Sequence, residues 1–243
     1  MNVAIVAQNN INLVRKIKSL GFKIVEENPE MIISIGGDGT ILLSERLYPS
    51  VPKLVLKTSS TCRKCEYTIN QLKTILDLIK QGKYVIEEEK KVEARFKKQK
   101  ILALNEIQLH NKKPTVALRF SVTADTLKQE NVIGDGLIIA SPFGSTGYYM
   151  SVVGKSFRKG IGIAFNNPHN IRLKGFVLKE NVKIVVRVLR EEGWLIRDND
   201  ENFIDLYPGD KFKVFLSKER AKFIKVYDHL KRISTPGNFL PAR

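Results

Sequence analysis

The residues Met31-Ile32-Ile33-Ser34-Ile35 form a nearly unbroken apolar run, and Gly36-Gly37-Asp38-Gly39-Thr40 follows it directly. A strand that is apolar at successive positions has no polar face for water, so it must be covered on both sides, as in a parallel sheet. The glycines end the strand, and Ile41, Leu42, Leu43 and Leu47 then recur at helical spacing over residues 40–47. A strand, tight turn and helix in that order call for α/β layering. The flanking sequence agrees. Residues 3–7 are short and apolar, residues 12–20 carry Leu13, Ile17 and Leu20 on one helical face before Gly21, and Phe22-Lys23-Ile24-Val25 alternates. Residues 53–56 read as a further strand, and residues 69–82 as a helix with Leu72, Ile75, Leu76 and Ile79 on one side. These features predict a small doubly wound α/β domain over residues 1–84.

From about Tyr84 the pattern changes. Strand-like segments at 92–96, 101–104, 116–122, 137–140, 161–165, 176–178, 182–188, 194–197, 203–206, 212–216 and 223–226 follow one another with little helix between them. Turn formers such as Asn111-Lys112-Lys113-Pro114 and Tyr207-Pro208-Gly209-Asp210 separate many of them. This predicts a second, all-β domain, similar to a β-sandwich, over residues 85–226, whose one helix candidate is residues 145–153. The polar tail 227–243 holds Pro236 and Pro241 and is expected to pack back on the first domain.

A chain of 243 residues with 43% hydrophobic and 27% charged content can build one large domain or two small ones, and this composition excludes a disordered polymer. No apolar run is long enough to cross a bilayer. The first residues lack the basic lead-in of a secretion signal, so a cytoplasmic protein is expected. Forty-one Lys and Arg against 25 Asp and Glu leave a net charge of +16, which suits polyanionic ligands. The basic residues are spread along the chain, so charge alone does not select among nucleotides, nucleic acid and acidic lipid. The two cysteines, Cys62 and Cys65, are spaced C-x-x-C without a second pair to complete a structural zinc site. A local disulfide or two ordinary thiols is the expectation, and no metal ligand is assigned.

The Gly36 to Thr40 turn lies where open α/β sheets bind ligands, at the carboxyl end of a strand. Glycines let backbone N–H groups approach phosphate oxygens, and a helix N-terminus adds positive potential. Asp38 places negative charge in such a cradle. That makes sense for a base that takes a proton from an attacking hydroxyl, or for a group linked to a metal. The alternative is a simple turn in which Asp38 caps its helix. Neither G-x-x-x-x-G-K-S/T nor G-x-G-x-x-G is present.

Two further constellations stand out. Gly134-Asp135-Gly136 precedes the apolar segment Leu137-Ile138-Ile139-Ala140, and Ser141-Pro142-Phe143-Gly144-Ser145-Thr146-Gly147-Tyr148 follows it. Such a hydroxyl-rich turn with an aromatic suits a base and a ribose; the alternative is a turn into a helix capped by Ser145. Asn105-Glu106 interrupts the apolar residues around it and needs polar partners, which a ligand or a solvent-facing edge can supply.

Together, in this order, the three constellations resemble the NAD kinase family, whose G-G-D-G-T turn, N-E pair and G-D-G…G-S-T-A-Y stretch they follow between Ile32 and about Asp210, with Gly147 in place of the usual Ala. The resemblance implies phosphoryl transfer from ATP or polyphosphate to the 2′-hydroxyl of the adenosine ribose of NAD, with Mg²⁺ or another divalent cation. Asp38 would be the general base, and Gly36, Gly37, Gly39 and Thr40 would lie by the donor phosphates. Asn105 and Glu106 would bind the NAD sugar and phosphate region, and Ser145, Thr146, Gly147 and Tyr148 would frame adenine and ribose, with Ser151 nearby. Asp135 would reach NAD from a neighbouring subunit, implying a homodimer or homotetramer that binds nucleotides, with neither nucleic acid nor membrane as partner. A lipid kinase of the diacylglycerol or sphingosine type, which shares the G-G-D-G turn, is the alternative. The chain departs from the family at residues 57–66, where Cys62-Arg63-Lys64-Cys65 stands in place of a segment with glycines and Phe, so contacts of that loop are not carried over.

Overall fold

The computed structural model of the chain describes residues 1–7, 11–58, 62–125, 127–170, 172–173 and 175–226; the tail 227–243, expected to pack on the first domain, lies outside the described residues. Parallel strands Asn2–Ala7, Met31–Gly36 and Lys53–Lys57 lie side by side, with Lys23–Ile24 beyond the first. On one face Val3, Ile33, Ile35, Leu54 and Leu56 pack with Ile17 of helix Ile11–Ser19 and with Leu72, Ile75, Leu76 and Ile79 of helix Leu72–Lys80. Helix Asp38–Leu47 takes the other face, where Leu43 meets Ala4, Val6 and Ile32, and Ile41 and Leu42 meet Val55. Coverage on both faces is the reason the strand before the glycine turn is almost wholly apolar. Its one polar residue, Ser34, is buried and accepts a 2.9 Å hydrogen bond from Ser44 Oγ, which pins the helix to the sheet.

The β-rich part is a sandwich. One sheet runs Gly175–Leu178, Ile161–Asn166, Gly136–Ala140, Glu106–Asn111, Gly193–Arg197, Ile204–Leu206. The facing strands are Leu127–Gly134, Leu118–Ala124, Ile184–Arg190 and Lys211–Val226, with Tyr84–Phe96 and Gln99–Ala103 continuing beside the last. Phe120, Val122, Phe165, Val186 and Phe212 fill the space between the sheets. Each such side chain contributes about 1.5–3 kcal/mol by leaving water. The strand Leu127–Gly134 has no counterpart in the sequence reading, because Lys128-Gln129-Glu130-Asn131 hides it. It is an edge strand with one neighbour, where polar residues are tolerated.

The two parts share one hydrogen-bonded sheet. Lys211–Val226 is a single strand of 16 residues, not the two strands expected at 212–216 and 223–226. It pairs antiparallel with the 13-residue strand Tyr84–Phe96, shifts register between Leu216 and Arg220, and then pairs in parallel at Phe223 with Lys53. The polar stretch Ser217-Lys218-Glu219-Arg220 reads as a turn, but Ser217 Oγ donates to Glu93 Oε2 at 2.9 Å and Glu219 pairs with Lys100. A buried ion cluster strengthens the junction: Glu45 of helix Asp38–Leu47 meets Lys53 at 2.5 Å and Lys91 of the long strand at 2.7 Å. Burial lowers the Lys53 pKa, opposed by the Glu45 carboxylate.

Candidate active site

Helix Asp38–Leu47 starts at Asp38 with Gly37 as its N-cap, and no side chain caps it. The Asp38 carboxylate therefore does not serve its own helix. Its Oδ1 accepts the Lys64 N–H at 3.1 Å and its Oδ2 the Arg63 N–H at 3.4 Å. Gly36 admits no side chain, because a Cβ there would run into Thr40, whose N–H donates to Gly37 O at 3.0 Å and closes the turn. At Gly37 a Cβ would meet nothing within 4 Å, so this side of the turn has room for a ligand oxygen. Gly39 is exposed, and its carbonyl accepts from Asn199 Nδ2 at 3.3 Å.

Asn105-Glu106 forms a corner rather than part of an uninterrupted strand: Gln99–Ala103 ends before it and Glu106–Asn111 begins at it. Asp198 holds that corner. Its carboxylate accepts the N–H groups of Leu104 (2.8 Å), Asn105 (2.7 Å) and Glu106 (3.1 Å), and its own N–H donates to Glu106 O at 3.0 Å. Sequence reasoning missed this role; the surviving signal was an acidic residue directly after the strand Gly193–Arg197. Burial pushes the Asp198 carboxyl up to about 6, and the three amide donors pull against that rise. Glu106 is 5% exposed; Gln108 Nε2 reaches its Oε1 at 3.4 Å, and its Oε2 has no hydrogen-bond partner. Burial first, and then the nearby Asp198 charge, push the Glu106 carboxyl up to about 8. Of the two carboxyls Glu106 is the more readily protonated, and in that form it can donate.

The turn after strand Gly136–Ala140 packs on the corner. Ser141 Oγ donates to Leu104 O at 2.6 Å and accepts the Gly144 N–H at 3.0 Å, while the Ser141 N–H donates to Asn105 O at 2.8 Å. Gly144 lies so close to Asn105 that a Cβ would sit 2.5 Å from its carbonyl carbon, and backbone cannot yield. The helix expected over 145–153 is broken into a 3₁₀ turn, Gly144–Thr146, and helix Tyr148–Val153, with Gly147 between. Ser145 caps neither; it is buried and donates to Phe157 O at 2.7 Å. Tyr148 and Ser151 are exposed, and Ser151 Oγ donates to Tyr148 O at 2.8 Å.

The structure brings Asp38 from the α/β part and Asn105, Thr146 and Gly147 from the sandwich onto one cavity of about 80 Å³, with Ile41, Leu42, Lys64 and Phe143 completing its wall. Glu106 Oε2 lies beside it, 3.9 Å from the position of a Cβ on Gly147. Asp135 is elsewhere. It lies before Gly136–Ala140, at the opposite end of that strand from the turn, roughly 20 Å away at about 3.3 Å per residue, and its Oδ2 accepts from Asn167 Nδ2 at 3.1 Å. Among the described residues, the one group of three clustered metal-type donors is Asp38, Cys62 and Cys65. The two sulfurs are joined to each other and offer no thiolate, and sulfur does not suit Mg²⁺, which prefers oxygen. No helix of the described residues is long and apolar enough to cross a membrane.

Residues 104–226 match the family described as the ATP-NAD kinase C-terminal domain. A protein named NAD kinase from Sulfurisphaera tokodaii is 30% identical over 224 residues, 87% of either chain. Among solved structures, an NAD kinase from Archaeoglobus fulgidus in complex with ATP superposes with a TM-score of 0.78 at 22% identity, covering 93% of this chain and 94% of its own. A yeast NADH kinase complexed with NADH gives a TM-score of 0.83 at 14% identity, covering all of this chain and 90% of its own. At such identities the structural likeness speaks for the fold alone.

Proposed function

The chain belongs to the NAD kinase family, and on that premise we propose that it transfers the γ-phosphoryl group of ATP to the 2′-hydroxyl of the adenosine ribose of NAD, forming NADP. The observation that carries this reading is the shared cavity: Asp38 arrives from the α/β part and Asn105, Thr146 and Gly147 from the sandwich. Asp38 is the general base. Two backbone N–H groups orient its carboxylate and leave further lone pairs for the ribose hydroxyl, whose proton it takes as the oxygen attacks phosphorus. The open side of Gly37, with Gly36, Gly39 and Thr40 around it, receives the donor phosphates. Asn105 and a protonated Glu106 bind the ribose, which supplies the partner that Glu106 Oε2 lacks. Thr146, Gly147 and Tyr148 frame the adenosine, with Ser145 and Ser151 supporting that turn from behind.

Mg²⁺ neutralises charge on the transferring phosphoryl group when it is bound. The clustered donors beside Asp38 do not fit it, so it accompanies the phosphates of the donor, and no step is assigned to it. Asp135 stands too far along its strand to reach the cavity of its own chain, and it reaches NAD in a neighbouring subunit of a cytoplasmic homodimer or homotetramer. We retain the division into domains 1–84 and 85–226 as a proposal, with the long strand Lys211–Val226 crossing between them. The lipid-kinase alternative draws no support from the relatives.

The test is direct. Purified protein with ATP, Mg²⁺ and NAD is expected to form NADP and ADP in equal amounts. ATP consumption without NADP, or phosphorylation of diacylglycerol in its place, contradicts the reading. Replacing ATP by polyphosphate identifies the donor.

A further inference from the structure

The segment lying on Asp38 is Cys62-Arg63-Lys64-Cys65, and the two cysteines are joined by a disulfide with Cα atoms 5.5 Å apart. Both residues enclosed by that ring, Arg63 and Lys64, supply the N–H groups that hold the Asp38 carboxylate. The sulfurs lie on the same turn: Cys62 Sγ is 3.2 Å from Asp38 Oδ1, and Cys65 Sγ is 3.6 Å from Gly36 O. The ring also reaches the other wall of the cleft. Arg63 Nη1 donates to Thr146 O at 2.9 Å, and Lys64 Nζ stands 4.3 Å from the centre of the Phe143 ring. One four-residue ring thus bridges the base and the proposed adenosine turn. Beneath it the cavity measures about 80 Å³, whereas pockets for small organic ligands occupy roughly 300–1,000 Å³. A nucleoside enters only when the bridge is displaced.

We propose that Cys62 and Cys65 form a reversible thiol–disulfide site that governs the access of NAD to Asp38, closed as the disulfide and open as the dithiol. This rests on the reading of Asp38 as the base for NAD. The disulfide holds the enclosed N–H groups in register with Asp38. Without it the bridge keeps three hydrogen bonds that water can replace, the two amide contacts of 3.1 Å and 3.4 Å and that of an exposed Arg63, beside the Lys64 contact with Phe143 and the packing of Cys65. Closing the site requires a small-molecule disulfide as oxidant. The half-buried Cys62 attacks it as thiolate and expels one small thiol, and the buried Cys65 then attacks the Cys62 sulfur of the mixed disulfide and expels the second. The two protein thiols lose two electrons and two protons; the small disulfide gains both and leaves as two thiols.

The experiment measures NAD binding by calorimetry and kcat/KM for NAD on the full chain, after dithiothreitol and after oxidised glutathione, with thiols counted by alkylation. The reduced protein is expected to bind NAD about tenfold more tightly, with kcat/KM rising by a similar factor. Cys62→Ser and Cys65→Ser are each expected to lose the response to oxidised glutathione. Equal affinities within about twofold in the two thiol states overturn the proposal, as does a glutathione response that persists in both variants. An effect of reductant that EDTA abolishes also overturns it, assigning the cysteines to a soft metal instead. If neither redox form makes NADP, the proposed function fails, and the binding comparison still decides the switch.

Discussion

Asp38 and Glu106 stand at one cleft and are held in opposite ways. Asp38 is half-buried at the start of a helix, with an N–H donor on each oxygen. Glu106 is buried behind Gly147, with one oxygen in a 3.4 Å contact and the other without a partner. The first is positioned by a turn of five consecutive residues and one loop. The second depends on Asp198, more than ninety residues away in sequence, which gathers three N–H groups at the corner. On the proposed reading the base is oriented and reachable, while the carboxyl that binds is dry, raised in pKa and unsatisfied.

The comparison breaks first at Asp38. Asp38→Asn is expected to lower kcat by about 10²–10⁴-fold while NAD affinity stays within a few-fold, whereas Glu106→Ala acts mainly on KM; steady-state kinetics with calorimetric binding separates the two. Asp198→Ala comes next. It strips the acceptor from three N–H groups, so urea denaturation is expected to show a loss of about 3 kcal/mol or more, with KM for NAD rising more than kcat falls. Gly144→Ala pushes a methyl against the Asn105 backbone and is expected to cost about 1–3 kcal/mol, while Gly37→Ala, with open space around it, leaves the melting temperature nearly unchanged and weakens ATP binding.

Stability is also expected to depend on pH. The Glu106 carboxyl is raised in the fold from 4.5 to about 8, so its contribution to stability is complete below its unfolded value and is lost as pH rises through about 8. Asp198, raised from 3.8 to about 6, acts with the same sign in a lower window. Unfolding free energy is therefore expected to fall as pH rises from about 6 to about 8, and Glu106→Gln to flatten that slope. Denaturant midpoints across this range check it.

The half of the site around Asp38 was legible because its determinants are local. A run that is apolar at every position but Ser34 must be buried on both faces, and glycines at its end leave few conformations other than a turn into a helix. The glycine-bracketed strand Gly136–Ala140 was legible for the same reason. What stayed hidden depends on contacts far apart in sequence. Lys211–Val226 carries polar residues at its centre because Glu93 and Lys100 meet them there, and Asp198 caps a corner more than ninety residues before it. The cysteines show the same limit: their spacing indicated a local pair, but only the fold puts that pair on Asp38.

A crystal of the reduced protein grown with NAD and a non-hydrolysable ATP analogue tests the two-sided site most directly. The expected density places the adenosine 2′-oxygen within about 3.2 Å of the Asp38 carboxylate, with the ribose against Asn105 and Glu106. A 2′-oxygen beyond about 5 Å from Asp38, or NAD bound away from this cleft, contradicts the account.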